Sequence, residues 1–214
     1  MIRPYQLILL MYIFFNHACA DSKHSKGLNK TDERHSVKEA KFTSPVNVKT
    51  STGKSYQISL DRIGSSIIDI SVSPQGFKNT NEVFHIKDLD PLDQVFVEDL
   101  DNNGFDELYL ITRSVGSGSY ATIFGWASNQ DLSVTPIYIR HITEKDLKEN
   151  GLFQGYMGHD SIFIANKKLF RKFPIYKDGD QQCCPTGGIR TLNYRLTKGE
   201  ASWILEINQR DPRN

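Results

Sequence analysis

Short apolar or alternating segments recur along the chain from residue 45 onward, and most are separated by Gly, Pro, Asn, Asp or Ser. Segments of this kind are typical of the strands of an antiparallel sandwich or barrel. Residues 143–150 differ, since Thr143 begins and Gly151 ends a pattern that predicts one or two turns of helix. We therefore predict an all-β fold, an antiparallel β-sandwich with one short helix. The predicted strand segments are residues 46–48, 56–60, 67–72, 83–86, 95–97, 108–111, 122–126, 134–139, 162–164, 169–175, 192–196 and 203–207.

The amino terminus has the pattern of an export signal. Arg3 precedes an apolar run at residues 7–15, and Ala18-Cys19-Ala20 supplies the small residues of a cleavage site. Cleavage after Ala20 would release a periplasmic or secreted protein, which we favour. Cleavage before Cys19 would instead leave an outer-membrane lipoprotein with a lipid anchor. No other segment approaches the roughly 20 apolar residues of a membrane-spanning helix.

Composition divides the remainder into a tail and a domain. Residues 21–44 are rich in charged and polar side chains and hold too few apolar ones to bury a face. We predict a signal peptide at 1–20, a disordered polar linker at 21–44 and one β-sandwich domain at 45–210. A chain of 214 residues is long enough for one such core.

Charge and histidine spacing disfavour two classes of function. The chain has 26 Lys and Arg against 25 Asp and Glu, which gives no overall field to attract nucleic acid. His85, His141 and His159 show neither nucleophile-base nor metal-ligand spacing. We predict a protein that is not an enzyme and has no nucleic-acid partner.

The adjacent Cys183 and Cys184 do not form a disulfide framework. A vicinal disulfide, free thiols and intermolecular pairing remain open for them, as does a structural role as small apolar residues.

An Asp-rich segment at residues 99–107 is the first candidate site. Asp99, Asp101, Asn103 and Glu107 place oxygen side chains around Gly104, a pattern that suits calcium. The EF-hand pattern fails, because Leu110 occupies the position of its last ligand. Side-chain hydrogen bonds to the backbone could equally hold the turn without metal. The calcium interpretation implies an alternative function, a calcium-binding extracellular adhesion or recognition module.

The same segment belongs to a longer acidic stretch. Residues 88–107 contain eight acidic residues and no Lys or Arg. Such a stretch could speed the approach of a basic protein or could simply aid solubility.

The second candidate site is Ser117-Gly118-Ser119-Tyr120. It follows the predicted strand at 107–113 and precedes the one at 121–128, so we expect a hairpin loop that projects into solvent. Glycine permits close backbone approach, serine hydroxyls donate or accept hydrogen bonds, and tyrosine offers a stiff ring with a polar tip. Insertion into a cleft and a flexible turn whose tyrosine folds back are both compatible with this composition.

Several segments together resemble the periplasmic inhibitors of invertebrate-type (i-type) lysozyme. Residues 97–108 and 121–128 match in pattern, and Ser117-Gly118-Ser119-Tyr120 matches the S-G-x-Y loop of that family. Residues 185–190 and 201–203 are similar to its carboxy-terminal segment.

The resemblance implies a proteinaceous inhibitor whose partner is an i-type lysozyme. Ser117 would donate its hydroxyl to a catalytic acid, Gly118 would permit close approach, and Tyr120 would occupy a sugar subsite. Ser119, at the variable position of the motif, would matter less, and Arg190 would support the loop or touch the target. No cofactor is implied, and a homodimer is left open.

Overall fold

Twelve β-strands and one short helix make up the described part of the chain, which in the computed structural model is residues 44–63 and 66–210. Each predicted strand segment overlaps one observed strand, so the all-β prediction is confirmed. The predicted signal peptide and nearly all of the predicted linker lie outside the described residues. The elements are β1 (Val46–Lys49), β2 (Ser55–Arg62), β3 (Ile68–Gln75), β4 (Phe84–Leu89), β5 (Leu92–Glu98), β6 (Glu107–Arg113), β7 (Ala121–Asn129), β8 (Ser133–Ile139), α1 (Glu144–Leu147), β9 (Ser161–Ala165), β10 (Lys168–Pro174), β11 (Ile189–Lys198) and β12 (Trp203–Arg210).

The strands form two sheets. A four-stranded sheet has the order β1-β2-β3-β4, and an eight-stranded sheet has the order β5-β6-β7-β8-β12-β11-β10-β9. Neighbouring strands are antiparallel except β8 and β12, which pair in parallel from Ile137 opposite Trp203 to Ile139 opposite Leu205. Parallel strands need a crossover connection rather than a hairpin. The intervening α1, β9, β10 and β11 supply that connection here.

Strand β6 is buried on both faces because side chains along a strand alternate in direction. Leu108 and Leu110 belong to the core shared with the four-stranded sheet. Tyr109 and Ile111 belong to a second core, which includes side chains from β9 to β12. The eight-stranded sheet therefore folds back on itself, and β6 lies between two hydrophobic layers.

The predicted helix is a single turn, α1. Its Asp146 carboxylate accepts hydrogen bonds from the Thr143 backbone N–H at 2.8 Å and from the Thr143 hydroxyl at 2.7 Å. Arg140 adds a bidentate pair, with its two Nη atoms at 2.8 and 3.0 Å from the carboxylate oxygens. The hydrogen bonds from Arg140 are the main reason that the pKa of Asp146 lies below its ordinary value of 3.8.

This lowered pKa predicts an acid-sensitive contribution to stability. The contribution of Asp146 is complete above its unfolded pKa of 3.8 and is lost as pH falls below that value. We expect Asp146→Asn to lower the free energy of unfolding near neutral pH, with a deficit that shrinks below about pH 4. Denaturant unfolding of wild type and variant, from about pH 7 to about pH 2, measures the deficit. Glu149 is exposed, so Glu149→Gln serves as the control and should show no such pH-dependent deficit. An Asp146→Asn deficit that does not change with pH would contradict the prediction.

Cys183 and Cys184 are joined by a disulfide between adjacent residues. They are exposed and lie between β10 and β11. Of the alternatives left open by the sequence, the structure has the vicinal disulfide.

Within the described residues, no helix combines the length and the hydrophobicity that a membrane crossing requires.

A candidate partner-binding loop

Residues 114–120 form the hairpin loop between β6 and β7. The last strand pair joins Arg113 and Ala121. Beyond it, the Ser114 N–H donates to the Tyr120 carbonyl at 2.9 Å, and the Tyr120 N–H donates to the Ser114 hydroxyl at 2.8 Å. The Ser119 N–H donates to the Gly116 carbonyl at 3.0 Å. The loop is therefore a hydrogen-bonded turn at one end of the eight-stranded sheet.

The candidate side chains differ in exposure. Ser117 is exposed, Ser119 is half-buried, and Gly118 is buried. The Tyr120 side chain is 44% exposed, and its ring meets the ring of Tyr156 edge to face, with 5.6 Å between centroids. Part of the Tyr120 ring thus faces solvent, and Tyr156 and Gly118 cover the remainder.

Gly118 and Gly158 pack against each other beneath this tyrosine. The His159 N–H donates to the Gly118 carbonyl at 2.6 Å. A Cβ on Gly158, which has φ +88°, would overlap the Gly118 carbonyl, and a Cβ on Gly118 would overlap the Tyr120 ring. Hydrogen at both positions is what allows the loop, the 155–160 segment and the ring to pack together.

A buried carboxylate, Asp160, fixes the base of the loop. Its side chain is 0% exposed and lies 3.7 Å from Arg113 Nη1 and 3.3 Å from Arg171 Nε. It also accepts hydrogen bonds from the Ala121 N–H at 3.0 Å and from the Tyr156 hydroxyl at 3.1 Å. Two cations and two neutral donors surround it, as a buried charge requires.

Arg113 and Arg171 also bind other segments near Asp160. Arg113 donates from Nη1 to the carbonyls of Ser119 at 3.0 Å and Asp160 at 2.8 Å, and its Nε lies 2.7 Å from Asp93. Arg171 Nη2 donates to the Ala121 carbonyl at 3.2 Å. Strands β5, β6, β7 and β10 and the 155–160 segment therefore converge on the loop. We call Asp160, Arg113, Arg171 and Tyr156 the anchor cluster.

The anchor cluster was not predicted from the sequence, although the residue pattern of β10 contained one signal of it. Leu169, Arg171 and Phe173 alternate along β10, and all three are buried. An arginine at an inward-facing position of a strand needs a buried acceptor. Nothing in the sequence identified Asp160 as that acceptor, because it lies eleven residues earlier (171 minus 160) in a different segment.

Burial is the main cause of a raised pKa at Tyr156, and the charge of Asp160 raises it further. Tyr156 therefore keeps its proton and donates to Asp160. Its ring also packs edge to face on Phe173, with 4.9 Å between centroids, which holds it in place beneath Tyr120.

A cavity of about 910 Å³ lies beside the loop. Tyr120 and Tyr156 line one part of it, and Phe124, Tyr138 and His141 line the part along β7, β8 and the segment after β8. The Tyr120 ring thus has Tyr156 on one side and open space on another, so a partner could contact it without rearranging the core.

Arg190 contacts a neighbouring turn. It donates to the backbone carbonyls of Gly151 at 3.3 Å, Leu152 at 3.1 Å and Gln154 at 3.2 Å. This turn leads into Tyr156, so these bonds fit a supporting role. Whether Arg190 touches a target stays a prediction.

His85 Nδ1 lies 2.9 Å from the hydroxyl of Ser71, its cross-strand partner. His85 is exposed and Ser71 half-buried on the four-stranded sheet. The expectation that the chain is not an enzyme stays a prediction.

The Asp-rich segment forms the loop between β5 and β6. One carboxylate oxygen each from Asp99, Asp101 and Glu107 lie within 4.8 Å of one another. Asn103, also predicted as a ligand, bonds within the loop: its Oδ1 accepts from the Phe105 N–H at 2.8 Å, and its Nδ2 donates to Asp101 at 2.9 Å. Burial, followed by the neighbouring carboxylates, raises the pKa of Glu107 to about 8.

The acidic stretch 88–107 does not form one patch. Leu92 pairs with Thr112 at one end of the β5–β6 pair, and Glu98 pairs with Glu107 at the other. Asp88, Asp90 and Asp93 therefore lie towards the hairpin end, and the carboxylates from Glu98 onward lie at the opposite end.

Comparison of the chain with protein-family models, with curated proteins and with solved structures finds no match in any of the three.

Proposed function

We propose that this chain is an inhibitor of i-type lysozyme that inserts the loop 114–120 into the active-site cleft of the enzyme. The observation that carries the proposal is the exposed Tyr120 ring on a hairpin whose base is fixed by the anchor cluster. The sequence Ser117-Gly118-Ser119-Tyr120 and its similarity to the S-G-x-Y loop point to the lysozyme as the target.

The chemistry of the target explains why an uncharged loop suits it. Glycosidases of this kind use a pair of carboxyl groups on either side of the scissile bond, in a cleft shaped for sugar rings. The exposed hydroxyl of Ser117 can donate a hydrogen bond to such a carboxylate. An acidic side chain at this position would repel the carboxylate instead. The phenol of Tyr120 has the flat apolar face and polar edge needed to occupy a sugar subsite.

The rigidity of the loop contributes to affinity as well. A flexible Gly/Ser loop would lose conformational freedom on binding, at a cost of about 0.5–1.5 kcal/mol for each side chain that is immobilised. Here hydrogen bonds to Ser114, Arg113 and His159 hold the backbone before any partner arrives. Much of this conformational freedom is therefore lost when the chain folds, and less remains to be lost when the partner binds.

Export is part of the same proposal. An inhibitor of lysozyme acts where the enzyme meets the cell wall, and the signal-like segment at residues 1–20 agrees with a periplasmic or secreted location. The outer-membrane lipoprotein anchored at Cys19 is the alternative form. The proposal needs no cofactor and no catalytic residue.

The test is inhibition itself, measured with one loop variant and one control variant outside the loop. The wild-type chain should abolish cell-wall lysis by an i-type lysozyme in a stoichiometric titration. Gly118→Ala should raise the inhibition constant about tenfold or more, because the added methyl group displaces the Tyr120 ring. Leu132→Ala changes an exposed residue at the other end of β7 from this loop and should stay within about twofold of wild type.

Thermal unfolding of both variants separates binding from folding. The Tyr120 ring can swing towards solvent, so Gly118→Ala should change Tm by no more than about 2 °C. Parallel assays with c-type and g-type lysozymes define the class recognised. The proposal is wrong if the wild-type chain leaves i-type lysozyme fully active at a large molar excess.

A further inference from the structure

Three carboxylates meet at the end of the eight-stranded sheet opposite the hairpin. One oxygen each from Asp99, Asp101 and Glu107 lie within 4.8 Å of one another. Asp99 and Glu107 are buried, and Asp101 is half-buried. Like charges this close repel one another strongly where water is excluded. The fold brings them together all the same, because Glu107 begins β6 and Asp99 follows β5.

Glu107 supplies a second and independent observation. Its side chain is 0% exposed, and its Oε2 accepts a hydrogen bond from the Leu100 N–H at 3.0 Å. Oε1 is buried and has no hydrogen-bond partner among residues 44–63 and 66–210. A buried carboxylate oxygen left unpaired is costly, so an unpaired oxygen on a member of this carboxylate group marks a position for a ligand.

The cation supplied by the protein offsets little of this charge. Lys167 Nζ lies 3.3 Å from Asp99 Oδ2, and the lysine side chain is 50% exposed. Asp99 also accepts hydrogen bonds from the neutral backbone N–H groups of Asn103 at 3.0 Å and Gly104 at 3.1 Å. Within residues 44–63 and 66–210, the ion pairs thus give this cluster one ammonium group for three carboxylates.

We propose that the β5–β6 loop binds one Ca²⁺ ion through the carboxylates of Asp99, Asp101 and Glu107. The ligand set consists of hard oxygen atoms, which favours Ca²⁺ or Mg²⁺ over metals that prefer nitrogen or sulfur. Calcium binds oxygen at about 2.3–2.6 Å, so ligand atoms across the ion are separated by up to about 4.6–5.2 Å. The observed separations fall within that span. Magnesium requires distances of about 2.0–2.1 Å and a near-ideal octahedron, which a set of three carboxylates on an irregular loop does not provide.

The ion would act on stability rather than on the partner. Glu107 and the hairpin lie at opposite ends of β6, and seven residues of strand span about 20 Å. Bound calcium would neutralise the carboxylates and fix the turn that starts β6, the strand buried between the two cores. This inference does not depend on lysozyme inhibition.

The experiment is a calcium titration of the full chain freed of metal with EDTA. Calorimetry should show one site with a Kd on the order of 10⁻⁴–10⁻³ M, the range of extracellular calcium modules. At about 10 mM CaCl₂ the Tm should rise by roughly 3–10 °C over the EDTA sample. An equal rise with the same concentration of MgCl₂ would overturn the assignment to calcium.

Four variants locate the site. Glu107→Gln and Asp101→Asn should each weaken calcium binding at least tenfold and remove the rise in Tm. Asp178→Asn removes an exposed carboxylate elsewhere and should bind calcium as the wild type does. Lys167→Met, which removes the competing ammonium, should tighten binding by roughly three- to tenfold. If Glu107→Gln does not fold, the titrations of Asp101→Asn and of the wild type test the calcium proposal. Absence of both heat and Tm shift in the wild type, or an unchanged response in Asp101→Asn, would overturn the proposal.

Discussion

Tyr120→Ala is expected to weaken binding to an i-type lysozyme by about 30-fold or more, equivalent to about 2 kcal/mol of binding free energy. The ring is 44% exposed, rests on Tyr156 and borders an open cavity, so it is available to a partner without rearrangement. A rigid aromatic anchor of this kind concentrates the binding energy of an interface. Titration calorimetry gives the dissociation constant.

A matched control removes another exposed apolar side chain. Leu132 is 45% exposed and lies in the turn after β7, at the opposite end of that strand from Tyr120. Leu132→Ala should leave the dissociation constant within about twofold of wild type. Both variants should keep the wild-type circular dichroism spectrum. An affinity for Tyr120→Ala equal to that of wild type would remove the proposed role of the ring.

Asp160→Asn is expected to produce the largest loss of stability, about 3–5 kcal/mol, with a fall in Tm of roughly 6–20 °C. The substitution keeps the shape of the side chain but removes the charge that faces Arg113 and Arg171. Arg171 is 5% exposed, so its positive charge would stay buried without compensation. Denaturant unfolding measures the change.

An exposed ion pair provides the comparison. Arg195 and Glu206 lie 3.4 Å apart with side chains 60% and 47% exposed. Glu206→Gln should change the free energy of unfolding by no more than about 0.5 kcal/mol, because solvent already screens this pair. If Asp160→Asn proved as mild as Glu206→Gln, the anchor cluster would not be what holds the loop.

The effect of Asp160→Asn should extend to the loop itself. Asp160 and Arg113 hold Ala121 and the Ser119 carbonyl, which flank Tyr120. Where the variant remains folded, at low temperature, we expect weaker lysozyme binding than in wild type although no residue of the loop has changed. Loss of affinity through a residue that a partner cannot reach would show that the rigidity of the loop contributes to binding.

The hairpin and the proposed calcium loop are spatially separate. The hairpin lies at the end of β6 and the proposed calcium loop at its beginning. Failure of the calcium titration would therefore leave the inhibitor proposal standing, and failure of the inhibition assay would leave the calcium proposal standing.

Local patterns in the sequence were enough to predict each strand, the presence of one short helix and the hairpin between β6 and β7. Alternation of apolar residues and the position of turn residues depend only on neighbours along the chain, so they can be recognised without the fold. The carboxylates of Asp99, Asp101 and Glu107 were predicted as a group for the same reason, since all three belong to one short loop.

Only the tertiary structure determined the parallel pairing of β8 with β12, the two hydrophobic layers around β6, and the anchor cluster beneath Tyr120. Asp160, Arg113 and Arg171 belong to three different segments of the chain. Their pairing depends on how distant strands pack and not on any local pattern. The sequence by itself therefore determined where the hairpin loop lies and which side chains it carries. Packing between distant residues decided that the ring of its tyrosine rests on Tyr156 and stays partly exposed.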